Sequence, residues 1–440
     1  MQMFCHGYQS WSESEWRTIG VDHDPSSNPD AIPLVIDMHS GDPTPAAPGE
    51  LRSELVTALR ASRDEPPSVV GGPGTLRFVD GELQGGTRDF ESFEQWADTI
   101  GREHHARVSA PFQVGWCSWY HYFDSVTEDD IRANLTRADG WPFDVFQIDD
   151  GFQSELGDWL VTNDKFPSTL DQLAESIAAE GRRPGLWIAP FLAAPSADVA
   201  RQHPDWFAMH ASGRRLVGAV GDHWGGAVHV LDTTNPEVLA HLERVARELV
   251  EAGFTYLKLD FTYAPGLAGT YADAAVPPGQ RVRAGFDAIR NGAGDEAFLL
   301  GCGAPLGAAI GVVDGMRIGP DVAPWWDLPA DRPFPPGYKA TQPSTASALR
   351  ATEARQFMHR RLWLNDPDCV MLRTTDTHLT QDEVRRWALA VGDSGGMVLV
   401  SDDLSLLDAN GRSLLDEVIA RGREVDRQAI GSTSARTNVW

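Results

Sequence analysis

The sequence predicts an α/β protein built on a (β/α)8 TIM barrel, and three observations carry that expectation. Eight short apolar runs recur between residues 113 and 400, and most end in Gly, Asp or Asn. Segments of helical period lie between them, as alternating strands and helices require. Neither a G-x-G-x-x-G after the first run nor a Walker motif is present, which weakens the runner-up, a doubly wound open sheet. The runs cover 113–117, 145–148, 185–189, 256–260, 297–301, 315–318, 361–364 and 397–400. The helical segment 127–137 opens on Thr127 with Asp130 three residues later, and 380–391 opens on Thr380 with Glu383; both spacings predict capping boxes. Residues 12–75 are rich in Asp, Ser, Pro and Gly, with apolar patches at 32–36 and 51–59, and read as irregular chain with a few strands. The chain thus divides into a shortened N-terminal β-rich segment at 1–108, a catalytic barrel at 109–402, and a last barrel helix with the remnant of a C-terminal domain at 403–440.

A length of 440 residues excludes one small binding domain, and 42 Gly with 29 Pro imply many loops. The net charge of −26 repels phosphate backbones and anionic lipid, so nucleic acid and membrane are not expected partners. No 18-residue apolar run exists, and residues 1–11 carry neither a basic nor an apolar leader stretch, so a cytoplasmic protein is expected. Cys5, Cys117, Cys302 and Cys369 are far apart with no C-x-x-C, which predicts neither a disulfide framework nor a metal site. No cofactor is called for, and assembly into a homo-oligomer is left open.

Polar residues concentrate where the barrel strands should end, the face on which such barrels build their sites. Asp149 and Asp150 follow the second run, Asp260 closes the fourth, Cys302 follows the fifth and Asp321 comes after the sixth. Asn365 and Asp366 follow the seventh, and Asp402 and Asp403 the eighth. Any one of these Asp residues is as readily a turn or cap residue. Lys258 and Asp260 are two apart, so both side chains should face the lumen while Leu257, Leu259 and Phe261 face the helices. The Lys258 ammonium should then hold Asp260 ionised, as a nucleophile requires. Asp321 is followed by Trp325 and Trp326, surroundings that raise a carboxyl pKa by desolvation. One ionised and one neutral carboxyl in one pocket is the arrangement of retaining glycoside hydrolysis. Fifteen tryptophans against seven tyrosines suit stacking on sugar rings, although each indole taken singly is as well explained by core packing. Asp149 and Asp150 are adjacent acceptors for vicinal hydroxyls; a divalent cation held by Asp149, Asp150 and Asp260 is the competing idea, which Lys258 and the lack of paired His or Glu oppose.

Five ordered motifs add a resemblance: Gly115-Trp116-Cys117-Ser118-Trp119, Gln147-Ile148-Asp149-Asp150-Gly151, Lys258-Leu259-Asp260-Phe261, Gly301-Cys302-Gly303 and Arg317-Ile318-Gly319-Pro320-Asp321. Together with Gly7-Tyr8-Gln9-Ser10-Trp11 they resemble the glycoside hydrolase family 36 α-galactosidases, over roughly residues 111–410. The resemblance implies Asp260 as nucleophile and Asp321 as acid/base. It also implies Asp149 and Asp150 on the 4- and 6-hydroxyls of galactose, and Lys258, Arg317 and Cys302 around the 2- and 3-hydroxyls. Trp119, with Tyr120 beside it, and Trp224 would form the platform, and Trp11, with Tyr8, would close the pocket from the N-terminal side. The family pattern has a full β-sandwich ahead of the Gln-Ser-Trp segment and a β-domain behind the barrel, where this sequence has six residues before Gly7 and about forty after the eighth run. The implied activity is exo-acting hydrolysis of small α-galactosides. The enzyme alternatives are galactosyl transfer of the raffinose-synthase type and hydrolysis of α-N-acetylgalactosaminides; the alternative of another class is a sugar-binding protein without turnover.

Overall fold

A computed structural model describes residues 2–6, 10–11, 14–18, 50–60, 68–79, 82–84, 88–90, 93–329 and 343–437, and the side chains of 10–11, 93–329 and 343–431. The N-terminal part is antiparallel. Strand β1 (Gln2–His6) pairs with β2 (Ser14–Thr18), while β3 (Glu50–Arg60) pairs with β4 (Ser68–Val79), and β5 (Glu82–Gln84) and β6 (Arg88–Phe90) both add to β4. Strands β2, β3 and β4 are the few strands expected within 12–75, and β3 covers the apolar patch at 51–59. Gly71-Gly72-Pro73-Gly74 reads as a turn by composition, yet it lies inside β4 opposite a register shift between Ser53 and Val56, the kind of irregularity that accommodates Gly and Pro in a strand. The patch at 32–36 lies outside the described residues.

Helix α1 (Phe93–Glu103) leads into the barrel. Strand β7 (Val114–Cys117) is followed by α2 (Trp119–Tyr122) and α3 (Glu128–Arg137), β8 (Val145–Ile148) by α4 (Leu170–Ala179), and β9 (Arg183–Ile188) by the short β10 (Leu192–Ala193) and α5 (Asp198–Gln202). An excursion, β11 (Val217–Gly221) and β12 (Gly226–Val230), forms a hairpin that pairs with β10 before α6 (Pro236–Glu251) returns to the outer ring. Then come β13 (Tyr256–Leu259) with α7 (Pro278–Ala293), β14 (Phe298–Gly301) with α8 (Leu306–Ala309), and β15 (Gly315–Arg317) with α9 (Thr345–Arg355). Strand β16 (Leu364–Asp366), α10 (Gln381–Asp393), β17 (Val398–Val400) and α11 (Ala409–Thr437) complete the described chain.

The eight barrel strands are parallel in the order β17, β7, β8, β9, β13, β14, β15, β16. The seam between β16 and β17 is bridged by Met397 N donating to Asn365 O and by a parallel bridge from Val370 to Val400. This is the (β/α)8 barrel that the run spacing predicts. Both capping boxes form, Thr127 with Asp130 and Thr380 with Glu383. Helix α6 shows the outer-ring pattern: Asn235 caps it, Pro236 occupies its first turn, and Val238, Leu242, Val245, Ala246 and Leu249 bury one face.

The seventh strand departs from expectation, lying at Leu364–Asp366 rather than 361–364. Arg360 adopts φ 59°, and its guanidinium binds Asp426 Oδ2 at 2.9 Å and the carbonyls of Val108 and Ala110. The chain must turn at that anchor before it enters the sheet, so Asn365 and Asp366 sit within the strand and not beyond it. Asp426 belongs to α11, is buried, and also accepts from Arg360 Nε at 2.7 Å and pairs with His359 Nε2 at 2.8 Å, which fastens the last helix to the barrel. Asp426→Ala would strand a buried guanidinium, so the variant should lose about 3 kcal/mol of stability in urea unfolding. A loss below about 1 kcal/mol would mean that α11 is held by its apolar face alone.

Candidate active site

The ends of β7, β8, β9, β13 and the loop after β15 meet in one pocket, lined by Trp11, Trp119, Asp149, Asp150, Trp187, His223, Trp224, Lys258, Asp260, Phe261 and Asp321.

Lys258 supplies the charge at its floor. Its Nζ lies 2.9 Å from Asp149 Oδ2 and 3.8 Å from Asp260 Oδ2, so the cation expected on Asp260 is shared and sits closer to Asp149. Burial disfavours the ammonium, but the carboxylates of Asp149 and Asp260 hold it well above an ordinary lysine. Asp149 Oδ2 also accepts from Gln147 Nε2 at 2.6 Å, and its Oδ1 accepts Asp150 N at 2.9 Å. Asp150 takes Gln153 Nε2 on Oδ1 at 2.6 Å, and Trp224 Nε1 and His223 Nε2 on Oδ2 at 2.9 and 3.1 Å. Two adjacent carboxylates are thereby aimed by fixed donors. Among the described residues no cluster of His, Cys, Asp or Glu is arranged to hold a metal ion.

Asp260 follows β13 directly. Its Oδ2 accepts Trp187 Nε1 at 2.8 Å and its Oδ1 accepts Phe261 N at 2.9 Å. Phe261 does not turn outward as strand alternation predicts: the strand ends at Leu259, Phe261 takes φ 53°, and its ring enters the pocket wall with Trp224 at 5.2 Å and Trp11 at 4.9 Å between centroids.

Asp321 stands opposite in character. Its side chain is 34% exposed and makes one ion pair, Arg317 Nη1 to Oδ1 at 2.9 Å. Burial raises its pKa; Arg317 opposes this and the nearby Asp260 adds to it. The direction is the expected one, but Trp325 and Trp326, the indoles expected to cause it, do not line the pocket.

Trp11 reaches the pocket from the N-terminal segment. Ser10 N donates to Ala304 O at 2.9 Å and Ala304 N to Ser10 Oγ at 3.1 Å, which pins the segment over the end of β14. Trp11 Nε1 donates to Cys302 Sγ at 3.3 Å. Gly303, at φ 56°, has the left-handed backbone that favours glycine, and a Cβ there would stand 3.0 Å from the indole and press on the ring. Tyr8 lies outside the described residues.

Cys302, Arg317 and Tyr120 are buried behind the pocket wall. Cys302 is capped by Trp11, and its thiol pKa is pushed up by burial and by Asp260. Arg317 meets Asp321, Asp366 at 3.2 Å and Asp368 at 2.9 Å. Tyr120 donates its hydroxyl to Asp368. Asp402 forms a buried pair with Arg373 at 2.6 Å and Asp403 caps a 3-10 turn; neither lines the pocket. Of the other indoles, Trp116 and Trp159 are core residues, while Trp187 is buried yet bonds Asp260. His223 and Asp368 were not singled out in the sequence. His223 carried a signal in its adjacency to Trp224, whereas Asp368 reads as one more acid in an Asp-rich turn.

The fold and this carboxylate- and indole-lined pocket define a barrel of the glycoside hydrolase class. The Melibiase family model matches residues 86–268. The structure of TtGalA, an α-galactosidase from Thermus thermophilus, in complex with stachyose is 31% identical with a TM-score of 0.73, covering 95% of this chain and 90% of that one. The same enzyme in complex with p-nitrophenyl α-D-galactopyranoside gives 32%, a TM-score of 0.74, and coverage of 96% and 86%. Alpha-galactosidase AgaA of Geobacillus stearothermophilus is 30% identical over 165 residues, 36% of this chain and 21% of AgaA. Mel36A of Lactobacillus acidophilus is 33% identical over 147 residues, 32% of this chain and 19% of Mel36A, so the matched stretches span about a fifth of these curated relatives. The chain belongs to the α-galactosidases of glycoside hydrolase family 36. No helix among the described residues is long and apolar enough to cross a membrane.

Replacing Lys258 by Met would leave the buried Asp149 and Asp260 without their cation. Stability at pH 7 should fall by about 3 to 5 kcal/mol, and the deficit should shrink at pH 5, where the unpaired carboxylates can protonate. Urea unfolding at both pH values checks this; a deficit that does not change with pH would remove the charge argument.

Proposed function

We propose that this protein is an exo-acting retaining α-galactosidase that hydrolyses terminal α-D-galactosyl residues of small galactosides of the melibiose and raffinose type. One observation carries the reading: two carboxyls, Asp260 and Asp321, share one pocket walled by indoles. Asp260 accepts an indole N–H and a backbone N–H and lies 3.8 Å from the Lys258 ammonium. Asp321 has its pKa raised. Galactosides bound to the Thermus thermophilus relative support the substrate class.

In the first step an Asp260 oxygen attacks the anomeric carbon while the glycosidic C–O bond breaks, and the departing oxygen takes the proton of Asp321. In the second, Asp321, now a carboxylate, takes a proton from water, whose oxygen displaces Asp260 from the anomeric carbon. Galactose leaves with its configuration retained. Asp149 and Asp150 accept hydrogen bonds from the hydroxyls of the sugar's far end, and Trp119, Trp224 and Trp11 supply apolar faces for its C–H surfaces. Cys302, Arg317 and Tyr120 act from behind, by holding Trp11 and Asp321 in place. Buried free thiols at Cys117, Cys302 and Cys369 support a cytoplasmic setting.

Asp260→Ala should abolish turnover of every substrate, whereas Asp321→Ala should spare nitrophenyl galactoside, whose leaving group needs little protonation, and lose melibiose. Steady-state kinetics on both decides it; equal losses on the two substrates would overturn the assignment. Specificity at the 2-position provides a second check. The resemblance sets Cys302 beside the 2-hydroxyl, and Trp11 covers its thiol at 3.3 Å, so the galactoside should be preferred over its 2-acetamido analogue by at least about a hundredfold, equivalent to about 2.7 kcal/mol. Comparable kcat/KM values for the two aryl glycosides would move the assignment to an α-N-acetylgalactosaminidase.

A further inference from the structure

Behind Asp321 lies a second carboxyl, Asp368, that does not line the pocket but touches both neighbours of the first. Its Oδ1 pairs with Arg317 Nη2 at 2.9 Å, and Arg317 Nη1 in turn holds Asp321 Oδ1 at 2.9 Å. Its Oδ2 accepts Val322 N at 2.9 Å, the peptide N–H directly after Asp321. One carboxylate therefore fixes the guanidinium on one side of Asp321 and the backbone on the other.

The surrounding chain is built to keep Asp368 there. It is fully buried just past β16 and adopts φ 92°, a conformation that a residue other than glycine holds only when its surroundings impose it. Asp368 N donates to Asp366 Oδ1 at 2.9 Å, Cys369 N donates to Asp368 Oδ1 at 2.7 Å, and the Tyr120 hydroxyl donates to Oδ2. Arg317, Asp321, Asp366, Tyr120 and the buried Cys369 thiol are the titratable and charged groups that face it.

We propose that Asp368 is the positioning residue of the acid: by sharing Arg317 and clamping the Asp321–Val322 peptide, it holds Asp321 in the geometry from which its proton is delivered. The inference rests on the reading of Asp321 as acid/base. Without Asp368, Arg317 would be left to Asp321 and Asp366, and a larger share of its charge would favour the Asp321 anion, which cannot donate. Burial raises the Asp368 carboxyl to about 7, with Arg317 pulling down and Asp321 and Asp366 pushing up.

Asp368→Asn keeps the shape and removes the charge. The variant should lose about a hundredfold in kcat/KM on melibiose while nitrophenyl galactoside changes by less than about threefold. The alkaline limb of its pH profile should move about one unit toward acid, because losing a negative neighbour lowers the Asp321 pKa. Tyr120→Phe, which deletes only the hydroxyl that stabilises the Asp368 anion, should move the limb the same way by less, and serves if the Asn variant does not fold. An unmoved limb in a folded variant, or equal losses on both substrates, overturns the proposal. Asp321→Ala measured alongside separates the two readings: if it discriminates between leaving groups and Asp368→Asn does not, only the role of Asp368 falls.

Discussion

Two buried cations, Lys258 and Arg317, neutralise the mouth of the barrel, and the remaining polar chemistry is arranged around how they are shared. Lys258 serves Asp149 and Asp260; Arg317 serves Asp321, Asp366 and Asp368. Five carboxyls share these two cations, and burial raises the pKa of two of them, Asp321 and Asp368. Asp149 and Asp260 each accept additional N–H bonds, whereas the ion pair that Asp321 makes among the described residues is to Arg317.

The barrel alone does not complete this pocket. Its wall on the β14 side is Trp11, carried in by a segment that Ser10 fastens to Ala304 through two hydrogen bonds. Its wall on the Asp150 side is the β11–β12 hairpin, inserted between β9 and α6, which brings His223 and Trp224 onto one carboxylate oxygen. Both walls use aromatic rings with one polar atom, so each provides an apolar surface for a sugar and a donor for the carboxylate or thiol behind it. The eight strands position the charged floor, and the inserted segments shape the sides.

Rigidity follows from the same arrangement. Positive φ at Phe261 and Asp368 places each side chain off the alternation of its strand, one into the pocket and one beneath the acid. Such conformations persist only under dense surrounding contacts, which the ring contacts of Phe261 and the five hydrogen bonds and ion pairs of Asp368 provide.

What the amino-acid sequence determined by itself was whatever depends on local period. Apolar runs placed seven of the eight barrel strands within two residues, Thr127 and Thr380 marked their capping boxes, and the two-residue spacing of Lys258 and Asp260 put both in the lumen. Parallel strands and amphipathic helices repeat every 2 and 3.6 residues, so neighbours in the chain carry the signal. Tertiary structure decided what depends on distant partners. The β16 boundary moved because Arg360 is anchored to Asp426, 66 residues further along the chain. Phe261 entered the pocket because its strand ended and rings from two other segments met it. Asp368 became the residue beneath Asp321 because β15, β16 and α2 converge there, and no spacing along the chain records a convergence made by packing.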